Sequence, residues 1–286
     1  AFRRDITINA LYYDVINDAV IDYVGGLEDI ARRTVRIIGN PAERFAEDPV
    51  RIWRVLRYAA RLGFVVEEAA EREIPGNAHL VATASGARLY EELNKDLAFE
   101  TRPVLETLRK YGILKYIFGK AGEAYEADEE MFSKLSGLLD FIDRARTAGF
   151  LPTLEEMHAV LFWPWLRPLL EAGGVDHHKV LSDAFRDAGM RVNIPRNLRA
   201  DLIQVLIFVA AMDRALHTGR IRWSLLQKPH FEPAQRLYFL FFKGRLPEKD
   251  ESFEVLFRQA FPGGGKGTRR RRRRRSFRPG PTPIKN

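Results

Sequence analysis

Residues 47–62 read Glu-Asp-Pro-Val-Arg-Ile-Trp-Arg-Val-Leu-Arg-Tyr-Ala-Ala-Arg-Leu, and this run leaves little freedom in how it can fold. Arg51, Arg54, Arg57 and Arg61 recur every three or four positions, and Ile52, Val55, Leu56, Ala59 and Leu62 fill the intervals. That period is helical, with a basic face opposite an apolar one. The spacing predicts one helix opened by residues 47–51. Pro49 suits the first turn, where a missing N–H costs nothing, and Asp48 before it suits the N-cap. A basic face carrying Tyr58 fits a nucleotide or RNA backbone, and it equally fits a solvated surface.

From residue 41 onward the pattern stays helical. Amphipathic helices are predicted from 87, over 102–111 and over 130–148, with Pro103 in a first turn and Gly112 and Gly149 at ends. A strongly apolar, buried helix is expected over 198–216. The run 161–170 contains Pro164 and Pro168, so it reads as a kinked helix or as two short pieces. Residues 1–40 look mixed α/β, with a short helix over 7–13 and strands at 19–24 and 34–38. The expected class is mainly α.

The longest apolar stretch, 202–212, is interrupted by Gln204 and too short to span a bilayer. The absence of cysteine excludes disulfides and thiolate metal sites, and a cytoplasmic monomer with no membrane partner is the expectation. Residues 263–286 hold ten Lys and Arg and no acid, so removing them from a net charge of +8 leaves −2 for the remainder. This tail contains Arg269, Arg270, Arg271, Arg272, Arg273, Arg274 and Arg275 in one run. It is rich in Gly and Pro, is expected to be disordered, and would bind a polyanion by counterion release.

At helical spacing Asp48 and Arg51 would project side by side. A carboxylate accepting from an exocyclic amine, beside a guanidinium donating to a ring nitrogen, selects adenine and cytosine over guanine and uracil. Alone, such a pair is an ordinary surface ion pair.

The beginning of the chain adds context. Phe2-Arg3-Arg4-Asp5-Ile6-Thr7-Ile8-Asn9-Ala10-Leu11 is followed by Asp22-Tyr23-Val24-Gly25-Gly26-Leu27-Glu28-Asp29 and by Arg36-Ile37-Ile38-Gly39-Asn40-Pro41. With the 47–51 run, this order resembles the class II tRNA nucleotidyltransferase and poly(A) polymerase family, densely up to about residue 64. The resemblance implies that Arg3, Arg4 and Asp5 line the nucleotide site and recognise its ribose. It also implies that Asp48 and Arg51 template the incoming base, with Glu47 orienting the arginine. Arg54 is assigned to the nucleotide site, and Arg57, Arg61 and the arginine tail to RNA. The implied organisation is the end of a nucleotidyltransferase head over 1–40, a helical neck over 41–125, an RNA-binding helical body over 126–262 and the tail over 263–286.

The family's glycine-rich phosphate loop and Asp-x-Asp motif, which would hold Mg²⁺ upstream of Arg-Arg-Asp, do not occur in this chain. The sequence begins at Ala1 without an initiator methionine, so the metal-binding carboxylates are expected upstream of Ala1 and no catalytic residue is assigned within the chain. The expectation is therefore a chain cut inside the head domain and unable to transfer nucleotides alone. The segment Ile221-Arg222-Trp223-Ser224-Leu225-Leu226-Gln227-Lys228-Pro229-His230-Phe231 and residues 87–92 resemble the poly(A) polymerase branch. These imply ATP-dependent adenylation of RNA 3′ ends. CCA addition to tRNA and a noncatalytic RNA-binding module remain the alternatives. Asp176-His177-His178 is not expected to bind metal, because adjacent helical residues diverge by about 100°. Trp223, Tyr238, Phe239, Phe241 and Phe242 could stack bases, although an aromatic cluster in a helical region is more often core.

Overall fold

A computed structural model describes residues 1–172 and 175–262, and the arginine run at 269–275 lies outside the described residues. The chain opens with a 3₁₀ turn at Thr7–Asn9, shorter than the helix expected over 7–13, and then forms an antiparallel hairpin of β1 (Tyr12–Asp14) and β2 (Ala19–Ile21). The turn residues Asn17 and Asp18 favour the hairpin over a longer helix. Helix α1 (Gly26–Ala31) follows. Its entry is held by Asp22, whose carboxylate accepts the N–H groups of Leu27 and Val24, among others, and is thereby drawn down to about 2. Gly25 takes φ +81°, and a Cβ on Gly26 would meet the Thr7 carbonyl oxygen at 2.5 Å. The glycine pair is thus required by a tight turn and a close helix approach.

Strand β3 (Thr34–Val35) pairs in parallel with β4 (Val65–Val66), and between them lie α2 (Pro41–Glu47) and α3 (Val50–Leu62). Asn40 caps α2 by accepting from Ala42 N–H at 3.0 Å, with Pro41 at its first position. Residues 47–51 do not open one helix. Proline disfavours helical backbone in the residue before it, and Asp48 is extended (φ −144°, ψ 93°). Glu47 therefore closes α2, and α3 starts beyond Pro49. Gly63, left-handed at φ +61°, terminates α3.

The remainder is helical: α4 (Glu68–Asn77), a 3₁₀ segment (Ala78–Thr83), α5 (Gly86–Leu97), α6 (Thr101–Lys110), α7 (Leu114–Phe118), α8 (Lys120–Ala127), α9 (Glu129–Thr147), α10 (Leu154–Glu171), α11 (His177–Asp187), α12 (Arg196–Thr218), α13 (Phe231–Lys243) and α14 (Phe253–Ala260). A mainly helical chain with a small α/β beginning is what the pattern predicts. The run with Pro164 and Pro168 is one helix, α10, started by a capping box in which Thr153 and Glu156 exchange hydrogen bonds. The Tyr125 hydroxyl donates to the Leu161 carbonyl at 2.5 Å, near the turn where Pro164 lacks its N–H. Buried apolar side chains form one continuous core from Ile6 to Phe257. Tyr238 and Phe239 belong to it, and Phe241 stacks on Trp163 at 4.4 Å, so these aromatics pack the interior.

Candidate nucleotide and RNA site

The apolar face of α3 buries Ile52, Trp53, Val55 and Leu56 completely, which fixes where its arginines point. They meet α5, whose Arg88, Glu92 and Asp96 recur at four-residue spacing on one face. Ion pairs advance in step along both helices: Asp48 with Arg88 at 2.8 Å, Arg54 with Glu92 at 2.8 Å, Arg57 with Glu92 and Asp96, and Arg61 with Asp96 at 3.3 Å. Asp5, delivered by the segment before the 3₁₀ turn, adds bonds to Arg51 at 2.9 Å and to Arg54 at 2.5 Å. Each of three carboxylates therefore bridges two successive arginines: Asp5 joins Arg51 to Arg54, Glu92 joins Arg54 to Arg57, and Asp96 joins Arg57 to Arg61.

Electrostatics follow from this sharing. Burial alone would raise Glu92, but Arg57, Lys95 and Arg54 outweigh it and hold the carboxyl at about 2. Asp5 is likewise pushed up by partial burial, and its bonds to Arg51 and Arg54 bring it below the ordinary range. Burial pushes Asp96 up. It nonetheless accepts from Arg57, from Arg61 and from Trp53 Nε1 at 2.6 Å, all of them donors, so it serves as the acceptor carboxylate. Arg57 is only 4% exposed. It faces neither solvent nor an RNA backbone, which corrects both readings offered for it. Arg61 keeps partial exposure, with its guanidinium 5.4 Å above the Phe99 ring.

Asp48 and Arg51 do not lie side by side as a helical pair would. Because Asp48 is extended, its carboxylate turns to Arg88 and also accepts the Val50 N–H at 3.3 Å, an approximation of the expected cap. Arg51, 7% exposed, is clamped elsewhere. Its Nε donates to Asp5 at 2.9 Å, and Nη1 donates to Glu47 at 2.8 Å and to the Arg44 carbonyl at 3.0 Å. Among the described residues Nη2 has no partner, so one edge of the guanidinium remains available. Arg44 in turn bonds Glu47 at 2.5 Å and the Arg4 carbonyl at 3.1 Å. Arg3 and Arg4 are exposed.

Among the described residues no group of three or more His, Cys, Asp or Glu could hold a metal ion. Asp176 instead caps α11 through the Lys179 N–H. Arg44, Arg88, Glu92 and Asp96 were missed in the sequence. The signal for three of them was present: a stripe on α5 at the same helical period as the basic one, some forty residues on. No helix among the described residues is long and apolar enough to cross a membrane.

The segment carrying Asp5 thus docks on an arginine helix that a second helix clamps. Residues 1–36 match the family described as "Poly A polymerase head domain", and residues 63–124 match "Probable RNA and SrmB- binding site of polymerase A". The chain belongs to the family that unites poly(A) polymerases with CCA-adding enzymes. It is 31% identical over 257 residues to poly(A) polymerase I of Escherichia coli O6:H1, covering 84% of this chain and 54% of that protein. It is 29% identical over 262 residues to the CCA-adding enzyme of Geobacillus kaustophilus, covering 82% of this chain and 56% of that one. The chain thus spans about half the length of these relatives. Its fold is similar to that of the Bacillus stearothermophilus CCA-adding enzyme in complex with CTP (TM-score 0.57, 24% identity, 91% of this chain and 58% of that one). It is also similar to a tRNA nucleotidyltransferase complexed with a primer tRNA and an ATP analogue (TM-score 0.60, 22% identity, 90% of this chain and 71% of that one).

Proposed function

We propose that the chain is the base-selecting and RNA-holding part of an enzyme that extends RNA 3′ ends with adenylate from ATP. The observation that carries this reading is the clamp on Arg51. Asp5 and Glu47 occupy its Nε and Nη1 and leave the Nη2 edge to donate to a base ring nitrogen. Asp48 would accept from the exocyclic amine, with Arg88 yielding or sharing the carboxylate. Adenine and cytosine offer that amine and acceptor; guanine and uracil do not. Asp5 is bonded to Arg51, and Arg3 and Arg4 precede it in the chain; they would serve the triphosphate and ribose, since a guanidinium fork binds phosphate oxygens and a carboxylate accepts from a hydroxyl. Arg54 acts through Asp5 and Glu92. Arg61 and Arg269–Arg275 would contact RNA.

The division into a head end (1–40), neck (41–125), body (126–262) and tail (263–286) belongs to the same proposal. Transfer in such an enzyme would use Mg²⁺. The described residues do not assemble a donor set for it, so no step of the transfer is assigned to them, and the chain alone is expected to bind nucleotide without transferring it.

CCA addition is the second reading, since the base pair proposed here accepts cytosine as well. A nucleotide-incorporation assay on the natural gene product tests both. ATP and CTP would be offered separately, with an unstructured RNA and with a tRNA lacking its CCA end. Long adenylate tracts on either RNA support the first reading. Addition of C, C and A confined to tRNA supports the second, and no incorporation with any combination overturns both.

A further inference from the structure

The arginines of α3 are neutralised by Asp5 and α5, whereas a group of arginines between α11 and α12 is not. Between α11 and the start of α12 lies a hollow of about 670 Å³ whose rim carries Arg186, Arg191, Arg196 and Arg199 and whose floor includes Phe185 and Ile203. Arg186 is bound by Asp183 and Asp187. Arg191, Arg196 and Arg199 make no ion pair or side-chain hydrogen bond with any described residue, and no acidic residue lines the hollow. Guanidiniums gathered round one concavity repel one another, and a polyanion seated there would supply the missing charge.

Its position says which polyanion. The Asn193 N–H donates to the Gly86 carbonyl at 3.0 Å, and a Cβ on Gly86 would lie 2.6 Å from the Arg191 carbonyl oxygen. The rim is therefore packed against the first residue of α5, two positions before the Arg88 that grips Asp48. An apolar floor beneath a cationic rim suits ribose and base faces below a phosphate chain better than it suits an acidic peptide. We propose that this hollow seats the phosphodiester backbone of the RNA substrate behind its 3′ end, through Arg191, Arg196 and Arg199. The proposal rests on the RNA nucleotidyltransferase reading, and the seat lies outside the segment that matches the RNA-binding family model.

The test is fluorescence anisotropy of a labelled single-stranded oligoadenylate titrated with the full 286-residue chain across a salt series from low to twice physiological ionic strength. The variant is R191Q/R196Q/R199Q. A charge-matched control, R32Q/R72Q/R258Q, alters arginines engaged in exposed i,i+4 pairs. Losing three phosphate contacts should flatten the log–log salt slope by about 2 and weaken binding at physiological salt by roughly 50-fold, with the control within about threefold of the parent. Unchanged far-UV circular dichroism keeps a folding defect apart from lost contact. A triple variant that tracks the control overturns the seat, as does equal competition by polyglutamate. Failure of the parent chain to bind the oligonucleotide instead overturns the RNA reading of the chain itself.

Discussion

Replacing Glu92 by Gln keeps the shape of a side chain that is 1% exposed and removes its charge from between Arg54, Arg57 and Lys95. Its folded pKa is about 2, against 4.5 for the free side chain. A depressed carboxyl contributes stability above its unfolded value and loses it as the pH falls through the folded one. At about 1.4 kcal/mol per pH unit the difference is worth about 3 kcal/mol at pH 7. Glu92→Gln should lose about that much in urea unfolding followed by circular dichroism. The gap between the two proteins should be nearly intact at about pH 4.5, about half as large near pH 3.3, and almost gone at about pH 2. A gap under about 0.5 kcal/mol at pH 7, or one that does not shrink in acid, would refute the assignment of Glu92 as the central shared carboxylate.

Gly26→Ala places a methyl group 2.5 Å from the Thr7 carbonyl, and a loss of about 2 kcal/mol or more is expected in thermal unfolding. Asp48→Ala should weaken ATP and CTP binding by roughly 10- to 100-fold in equilibrium dialysis and leave weak GTP binding unaltered, because the lost acceptor faces the position where adenine and cytosine carry an amine and guanine a carbonyl. His158, fully buried, is held near 4 by desolvation, with Nδ1 bonded to the Leu154 carbonyl at 2.8 Å. The unfolded chain then binds a proton that the folded chain refuses between about pH 6.5 and about pH 4, so stability falls as the pH drops across that window. His158→Phe should remove about 2 kcal/mol of the loss between pH 7 and pH 5, read as a flatter pH profile of the urea midpoint.

The period of the sequence was enough to locate α6, α9 and α12 within one or two residues, because their apolar positions and their stop signals agree. Asp48–Pro49 misled because one dipeptide carries two signals. A carboxylate before proline looks like a cap, and the same proline makes that residue extended and splits the segment in two. Arg57 misled for a different reason. A basic stripe looks solvated in one dimension, and its neutralising partners stand thirty-five and thirty-nine residues away on another helix. Asp5 was placed in the site by resemblance to relatives, while its bonds to Arg51 and Arg54 could be seen only in three dimensions.

The arginines of α3, alternating with carboxylates supplied by Asp5 and α5, also determine how that helix can fail. Turning α3 by one residue about its axis, roughly 100°, would carry every guanidinium away from its acceptor at once. The helix is keyed like a splined shaft, and the free edge of Arg51 is aimed by contacts two turns further on. Damage should accordingly propagate like an opening zip. Removing Asp96 would slacken Arg57, then Glu92, then Arg54 and Asp5. Paired substitutions at opposite ends should cost less than the sum of their separate effects, although the end residues never touch.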